Sequence, residues 1–135
     1  MPRFRFPASF EYLDEVRTRV AETARTAGMD DNAVYAAQLA ADEAASNIIE
    51  HGYAGKTGAS FELTCEFERD RLVITFYDQG ITFDVSKAAK PDVKADLSER
   101  KIGGLGIYLM HKLMDEVHYR STGSENILTL VKRKD

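Results

Sequence analysis

The chain has 135 residues, 44% of them apolar and 30% charged, which suits one globular domain with its own core and is too short for two. Its net charge of −4 excludes a nucleic-acid footprint over the chain as a whole, and the basic run Lys132-Arg133-Lys134 reads as the solvated end of a strand. No window approaches the ~18 uninterrupted apolar residues of a membrane span. The opening run MPRFRFPASFEYLDE has no secretory apolar core. A cytoplasmic location is therefore expected, in line with a single cysteine, Cys65, that cannot pair within the chain.

Arg3-Phe4-Arg5-Phe6 alternates polar and apolar and reads as a short strand, ended or made an edge by Pro7. Ser9 is placed to cap a helix over about residues 10–27, with an apolar stripe of Leu13, Val16, Val20 and Ala24 and a stop at Gly28. Asp30 or Asp31 caps a second, alanine-rich helix that runs to about His51 and ends at Gly52. Gly55 to Gly58 is a turn. A hairpin follows: Phe61, Leu63, Cys65 and Phe67 share one face, residues 69–71 turn, and Leu72 to Tyr77 form the partner strand. Cys65 falls on the apolar face, as a buried structural thiol.

From Asp78 to about Ile102 the pattern dissolves, and a loop of that length in a compact domain is usually a lid or binding loop. Gly103-Gly104-Leu105-Gly106 opens a third helix to about Met114, with Leu105, Tyr108, Leu109, Leu113 and Met114 on its apolar face. Strands over about 116–121 and 126–133 complete the chain. The order β-α-α-β-β-lid-α-β-β predicts an α+β, two-layer sandwich: a mixed, mostly antiparallel sheet with three helices on one face.

Three short patterns bear on chemistry. Glu43 and Asn47 lie four apart on the second helix and share a face with Ala36 and Ala40, where a packed helix would carry Leu or Ile. An asparagine oxygen suits a magnesium ion that keeps few protein ligands beside phosphates, and a carboxylate one turn away can take a proton from a hydroxyl. The same spacing is common on solvated helices. Asp78-Gln79-Gly80 ends a strand with an acceptor for an exocyclic amino group and a glycine that permits close approach or a positive φ, although D-x-G is also a common turn. Gly103, Gly104 and Gly106 cost helix propensity, which is understandable where backbone N–H groups at a helix start meet phosphate. Neither a Rossmann nor a Walker A arrangement is present.

Taken in order, Glu43-x-x-x-Asn47, Asp78-x-Gly80 and Gly104-x-Gly106 resemble the N box and the two glycine boxes of the Bergerat-type ATPase and kinase superfamily. That group holds gyrase, histidine kinases and heat-shock-90 chaperones. The wording DEAASNIIEHGY, YDQGITFD and GGLGIYLMHKLMDEV, the chain length and the ending NILTLVKRKD are similar to the anti-sigma-factor serine/threonine kinases of bacterial partner switching. The resemblance implies a single histidine-kinase-like ATP-binding domain over 1–135 with an ATP lid at about 84–102. It implies Glu43 as general base and Asn47 as magnesium ligand. Asp78 would read the adenine amino group with Gly80 beside the base, and Gly103, Gly104, Leu105 and Gly106 would lie near the phosphates. Arg100 would contact the γ-phosphate, and Thr129 would stand behind the adenine pocket.

The function so implied is an ATP- and Mg-dependent kinase that binds a sigma factor and phosphorylates a STAS-domain anti-sigma antagonist. The alternative is a non-catalytic ATP-gated switch that sequesters a regulatory partner. A detached histidine-kinase catalytic domain ranks last, because His51, His111 and His118 lie within or beside the fold. A homodimer is a further family expectation, with Phe4, Phe6, Phe10 and Tyr12 either supplying its interface or covering the core.

Overall fold

The computed structural model describes residues 3–53, 58–81 and 104–134. The expected lid at 84–102, Arg100, Gly103 and most of the turn at 55–58 lie outside the described residues, as does the side chain of Leu105. Five strands, β1 (Phe4–Pro7), β2 (Ser60–Glu68), β3 (Arg71–Asp78), β4 (Glu116–Ser121) and β5 (Asn126–Arg133), form one sheet in the order β1-β2-β3-β5-β4. Every pairing among them is antiparallel. Three helices, α1 (Leu13–Thr26), α2 (Asp31–Asn47) and α3 (Gly104–Leu113), form the second layer, with α2 packed against both α1 and α3.

The strand alternation decides which side chains meet the helices. Phe61, Leu63 and Cys65 of β2, Leu72, Ile74 and Phe76 of β3, and Leu128 and Leu130 of β5 are all buried on one face. Phe6, Phe61 and Phe76 form a row of tilted rings with centroids 5.8 and 6.1 Å apart. The Cys65 thiol is part of this core, and burial pushes its pKa up to about 11. The aromatic residues near the N-terminus divide unevenly. Phe6 is core, Tyr12 and Phe4 pack against the core with the Arg19 guanidinium over the Phe4 ring at 3.6 Å, and only Phe10 is exposed. Their main role is therefore to cover the core.

The helix ends follow local chemistry. Ser9 does not cap α1 with its side chain; it precedes a 3-10 turn, Phe10–Tyr12, and its carbonyl accepts from Tyr12 N at 3.1 Å. At the other end Gly28, at φ +81°, lets its own N–H reach Arg25 O and that of Met29 reach Ala24 O. Asp30 caps α2, its carboxylate accepting from Ala33 N at 2.8 Å. Six alanines of α2 are buried, so the helix can sit close to α1, α3 and the sheet at once. Among the described side chains of α3 the fully buried one is Met110, which falls outside the expected stripe, and Met114 just beyond the helix is buried too. Lys132 Nζ donates to Leu113 O at 3.0 Å and so tethers the last turn of α3 to β5.

The second helix changes form where the sequence predicts only its last turn. After Asn47 the chain makes a π-helical turn, Ile48–Gly52, closed by Tyr53 N to Ile48 O at 2.9 Å. No helix among the described residues is long and apolar enough to cross a membrane.

Candidate functional site

The site begins where α2 meets α3. Glu43 is half-buried and Asn47 is buried at 7% exposure, one turn apart. Gly106, in the first turn of α3, is pressed against both. A Cβ there would stand 2.5 Å from Glu43 Oε2 and 3.5 Å from Asn47 Nδ2. The missing side chain is what lets α3 approach the two polar groups. Gly104 starts the same helix.

The Asn47 amide nitrogen is buried and makes no hydrogen bond among the described residues. Leaving such a group unpaired costs on the order of 1–3 kcal/mol, so its position suits a ligand rather than packing. The two ends of the amide exchange by a half-turn of the side chain, and its oxygen can take the place of the nitrogen. No group of three or more His, Cys, Asp or Glu among the described residues could hold a metal alone. A magnesium ion beside Asn47 therefore needs phosphate and water oxygens for its other positions, as is usual for that ion. The residues present fit magnesium on those terms.

Burial is the main influence raising the Glu43 pKa, and the charge of neighbouring Asp42 adds to it. Asp42 is in turn held by Arg17 of α1, Nη1 to Oδ1 at 2.5 Å, and the same guanidinium also pairs with Asp14. A carboxylate with a raised pKa is the stronger base once ionised.

The other half of the site lies at the end of β3. Asp78 follows Leu72, Ile74 and Phe76 on the helix-facing side and is 7% exposed. Its Oδ1 accepts from Gly80 N at 2.9 Å and from Asn126 Nδ2 at 3.0 Å. Burial raises its pKa most; the Asn126 and Gly80 donors lower it, and the Glu125 charge raises it.

Gly80 does have a close neighbour, but that neighbour is the chain itself. A Cβ at Gly80 would lie 2.6 Å from the carbonyl carbon of Gly52 and closer still to its oxygen. Ile81 N donates to that same oxygen at 2.6 Å. The π-helical turn is what carries Gly52 to this position. Gly80 is absent from the positive-φ residues, so close approach explains the glycine. Tyr53 braces the junction: its hydroxyl accepts from Gln79 N at 2.9 Å and donates to Ser60 O at 2.7 Å.

Asn47, Gly52, Asp78, Ile81, Met110 and Leu128 line one small cavity of about 20 Å³. That volume holds about one water molecule, so a purine enters only if side chains give way. Ile81, 63% exposed at the edge, and the flexible Met110 are the ones able to do so. The patterns built on Asn47 and Asp78 thus share a cavity, and Glu43 and Gly106 adjoin it at Asn47.

Thr129 is not part of this arrangement. Along β5, Asn126, Leu128 and Leu130 are buried towards the helices, and Thr129 is out of phase with them. Its register partners are Thr75 and His118, on the opposite face of the sheet. The β5 residue paired in register with Asp78 is Asn126. The alternation of Leu128 and Leu130 was the available signal for Asn126, since it puts residue 126 in the core-facing phase.

A family model described as the histidine kinase-like ATPase domain matches residues 6–132. The chain belongs to that family. Among curated relatives, the serine-protein kinase RsbW of Bacillus licheniformis is 36% identical over 121 residues, covering 83% of this chain and 73% of the relative. The serine-protein kinase RsbW of Staphylococcus aureus is 30% identical over 137 residues, covering 97% and 86%. The fold recurs in a solved structure of the RsbU and RsbW domains of a Mycobacterium tuberculosis protein, with a TM-score of 0.61 at 18% identity. This chain covers 32% of that one, and 98% of it is matched. The Acinetobacter baumannii histidine kinase AdeS superposes with a TM-score of 0.52 at 14% identity, covering 100% of this chain and 68% of the other.

Proposed function

We propose that this chain transfers the γ-phosphoryl group of ATP to a serine or threonine hydroxyl of a protein partner, as a serine/threonine kinase and anti-sigma factor of a partner-switching system. The observation that carries the reading is the contact of Gly106 with Glu43 and Asn47 beside the cavity that Asp78 closes. Membership of a histidine kinase-like ATPase family and likeness to serine-protein kinases support it.

Each residue has a definable task. Asp78 accepts a hydrogen bond from the adenine amino group, and the Gly52–Gly80 contact holds the loop that carries it. Asn47 presents its amide oxygen to the metal. Magnesium, when bound, neutralises charge on the phosphates. Glu43 takes the proton of the attacking hydroxyl as the new O–P bond forms and the bond from the γ-phosphorus to the bridging oxygen breaks, leaving ADP. The first turn of α3 offers its N–H groups to phosphate, and Arg100 is assigned to the γ-phosphate. The phosphorylated partner in this reading is a STAS-domain antagonist, the sequestered one a sigma factor, and the working form a cytoplasmic homodimer.

The test is purified chain, labelled ATP, magnesium and a purified STAS-domain protein. Wild type should label a serine or threonine of that protein. Glu43→Ala should bind ATP and transfer nothing; normal labelling by this variant removes Glu43 from the base role. Absence of labelling by wild type overturns the kinase and leaves an ATP-gated binding switch.

A further inference from the structure

We propose that Asn126 sets the base preference of the site: by tying down one oxygen of Asp78 it leaves the other to accept from a 6-amino group, so that a 6-aminopurine nucleotide is chosen over a 6-oxopurine one. This rests on the reading of Asp78 as the residue that meets the base.

Asn126 is the first residue of β5, 3% exposed and opposite Asp78 in the β3–β5 register. An amide nitrogen has two hydrogens, and the structure uses both: Nδ2 donates to Asp78 Oδ1 and to Gly80 O, each at 3.0 Å. Gly80 N also donates to Oδ1, at 2.9 Å. Oδ1 therefore receives two donors, while no hydrogen bond among the described residues reaches Oδ2. The anchored Gly80 carbonyl keeps the Asp78–Ile81 turn from rotating Oδ2 away.

The arrangement also governs the protonation state. A buried carboxyl group tends to keep its proton, and a protonated one can donate to a 6-oxo group as readily as it accepts from a 6-amino group. Asn126 and Gly80 N oppose that tendency at Asp78, whereas the nearby Glu125 charge reinforces it. Tyr53, a further titratable group close by, spends its hydroxyl on Gln79 N and Ser60 O. Held as a carboxylate, Asp78 is acceptor only and meets a 6-oxo group with repulsion.

The experiment is displacement of a fluorescent ATP analogue from the full chain by ATP and by inosine triphosphate, at fixed magnesium. The two competitors differ in the purine ring chiefly at position 6. For Asn126→Leu the ATP-to-ITP affinity ratio should fall by about tenfold or more, the scale of a lost hydrogen bond to a charged group. A residue that only supports the fold would weaken both nucleotides alike and leave the ratio unchanged. If the leucine variant does not fold, Asn126→Ser is read by the same ratio. A ratio within about twofold of wild type in the folded variant overturns the proposal. Asp78→Asn separates the two layers. If it too keeps the wild-type ratio, the reading of Asp78 is wrong; if it loses the ratio while the Asn126 variant retains it, only the role of Asn126 fails.

Discussion

Replacing Gly80 with alanine probes the junction that holds the Asp78–Ile81 turn. The new methyl would stand 2.6 Å from the carbonyl carbon of Gly52. Its neighbour is backbone, fixed by the π-helical turn, and cannot swing aside. Overpacking of this kind costs about 1–3 kcal/mol, and losing the Ile81 N to Gly52 O bond adds about 1 kcal/mol. Reduced freedom of the unfolded chain returns about 0.4–1 kcal/mol. The net loss is about 1–3.6 kcal/mol, and at about 3–5 °C per kcal/mol for a chain of this length the melting temperature falls by roughly 3–18 °C. Gly52→Ala is the control, because it alters the same junction from the other side. There a Cβ meets Asn47 O and Asp78 Oδ1 at 3.9 Å, ordinary contact, and the change should stay within about 1 kcal/mol. Thermal unfolding by circular dichroism reads both. A Gly80→Ala protein that melts with wild type, or a Gly52→Ala protein that loses as much as Gly80→Ala, refutes the argument that backbone contact requires Gly80.

Gly106→Ala should behave in the opposite way, losing activity and keeping stability. The atom its methyl meets at 2.5 Å is the end of the flexible Glu43 side chain, which can move, but only out of position; a misplacement near 1 Å costs on the order of a hundredfold in rate, to be read as phosphoryl transfer beside an unchanged melting curve. Glu43→Gln should be more stable than wild type at neutral pH. Because burial and Asp42 raise the folded pKa of Glu43 above its unfolded value, the native state binds more protons between the two values and loses stability as pH rises through that window. The advantage of glutamine should therefore shrink as pH falls below the unfolded value, near 4.5; an advantage independent of pH from 4 to 8, scanned at about one-unit steps, counts against this.

Much of the fold was readable because burial imposes periodicity on local sequence. The alternation through Phe61, Leu63 and Cys65 announced β2, the Asp30 cap and the alanines announced α2, and the boundaries of β4 and β5 fell as expected. Glu43 and Asn47 were legible as a pair because a helix puts residues four apart on one face. Thr129, which only the family resemblance singles out, lies out of phase with the buried Leu128 and Leu130, and their alternation is what puts Asn126 on the helix-facing side.

Local sequence therefore determined most of the elements and the buried face of strands such as β2. Only the tertiary structure decided what those faces meet. Gly106 is small because Glu43, distant in the chain, lies against it; Gly80 is small because a π-helical turn after Asn47 brings Gly52 there; Asn126 matters because the β3–β5 register sets it opposite Asp78. Periodicity is a property of neighbours along one chain segment, whereas these contacts join residues far apart in sequence and exist only once the sheet order and helix packing have been chosen.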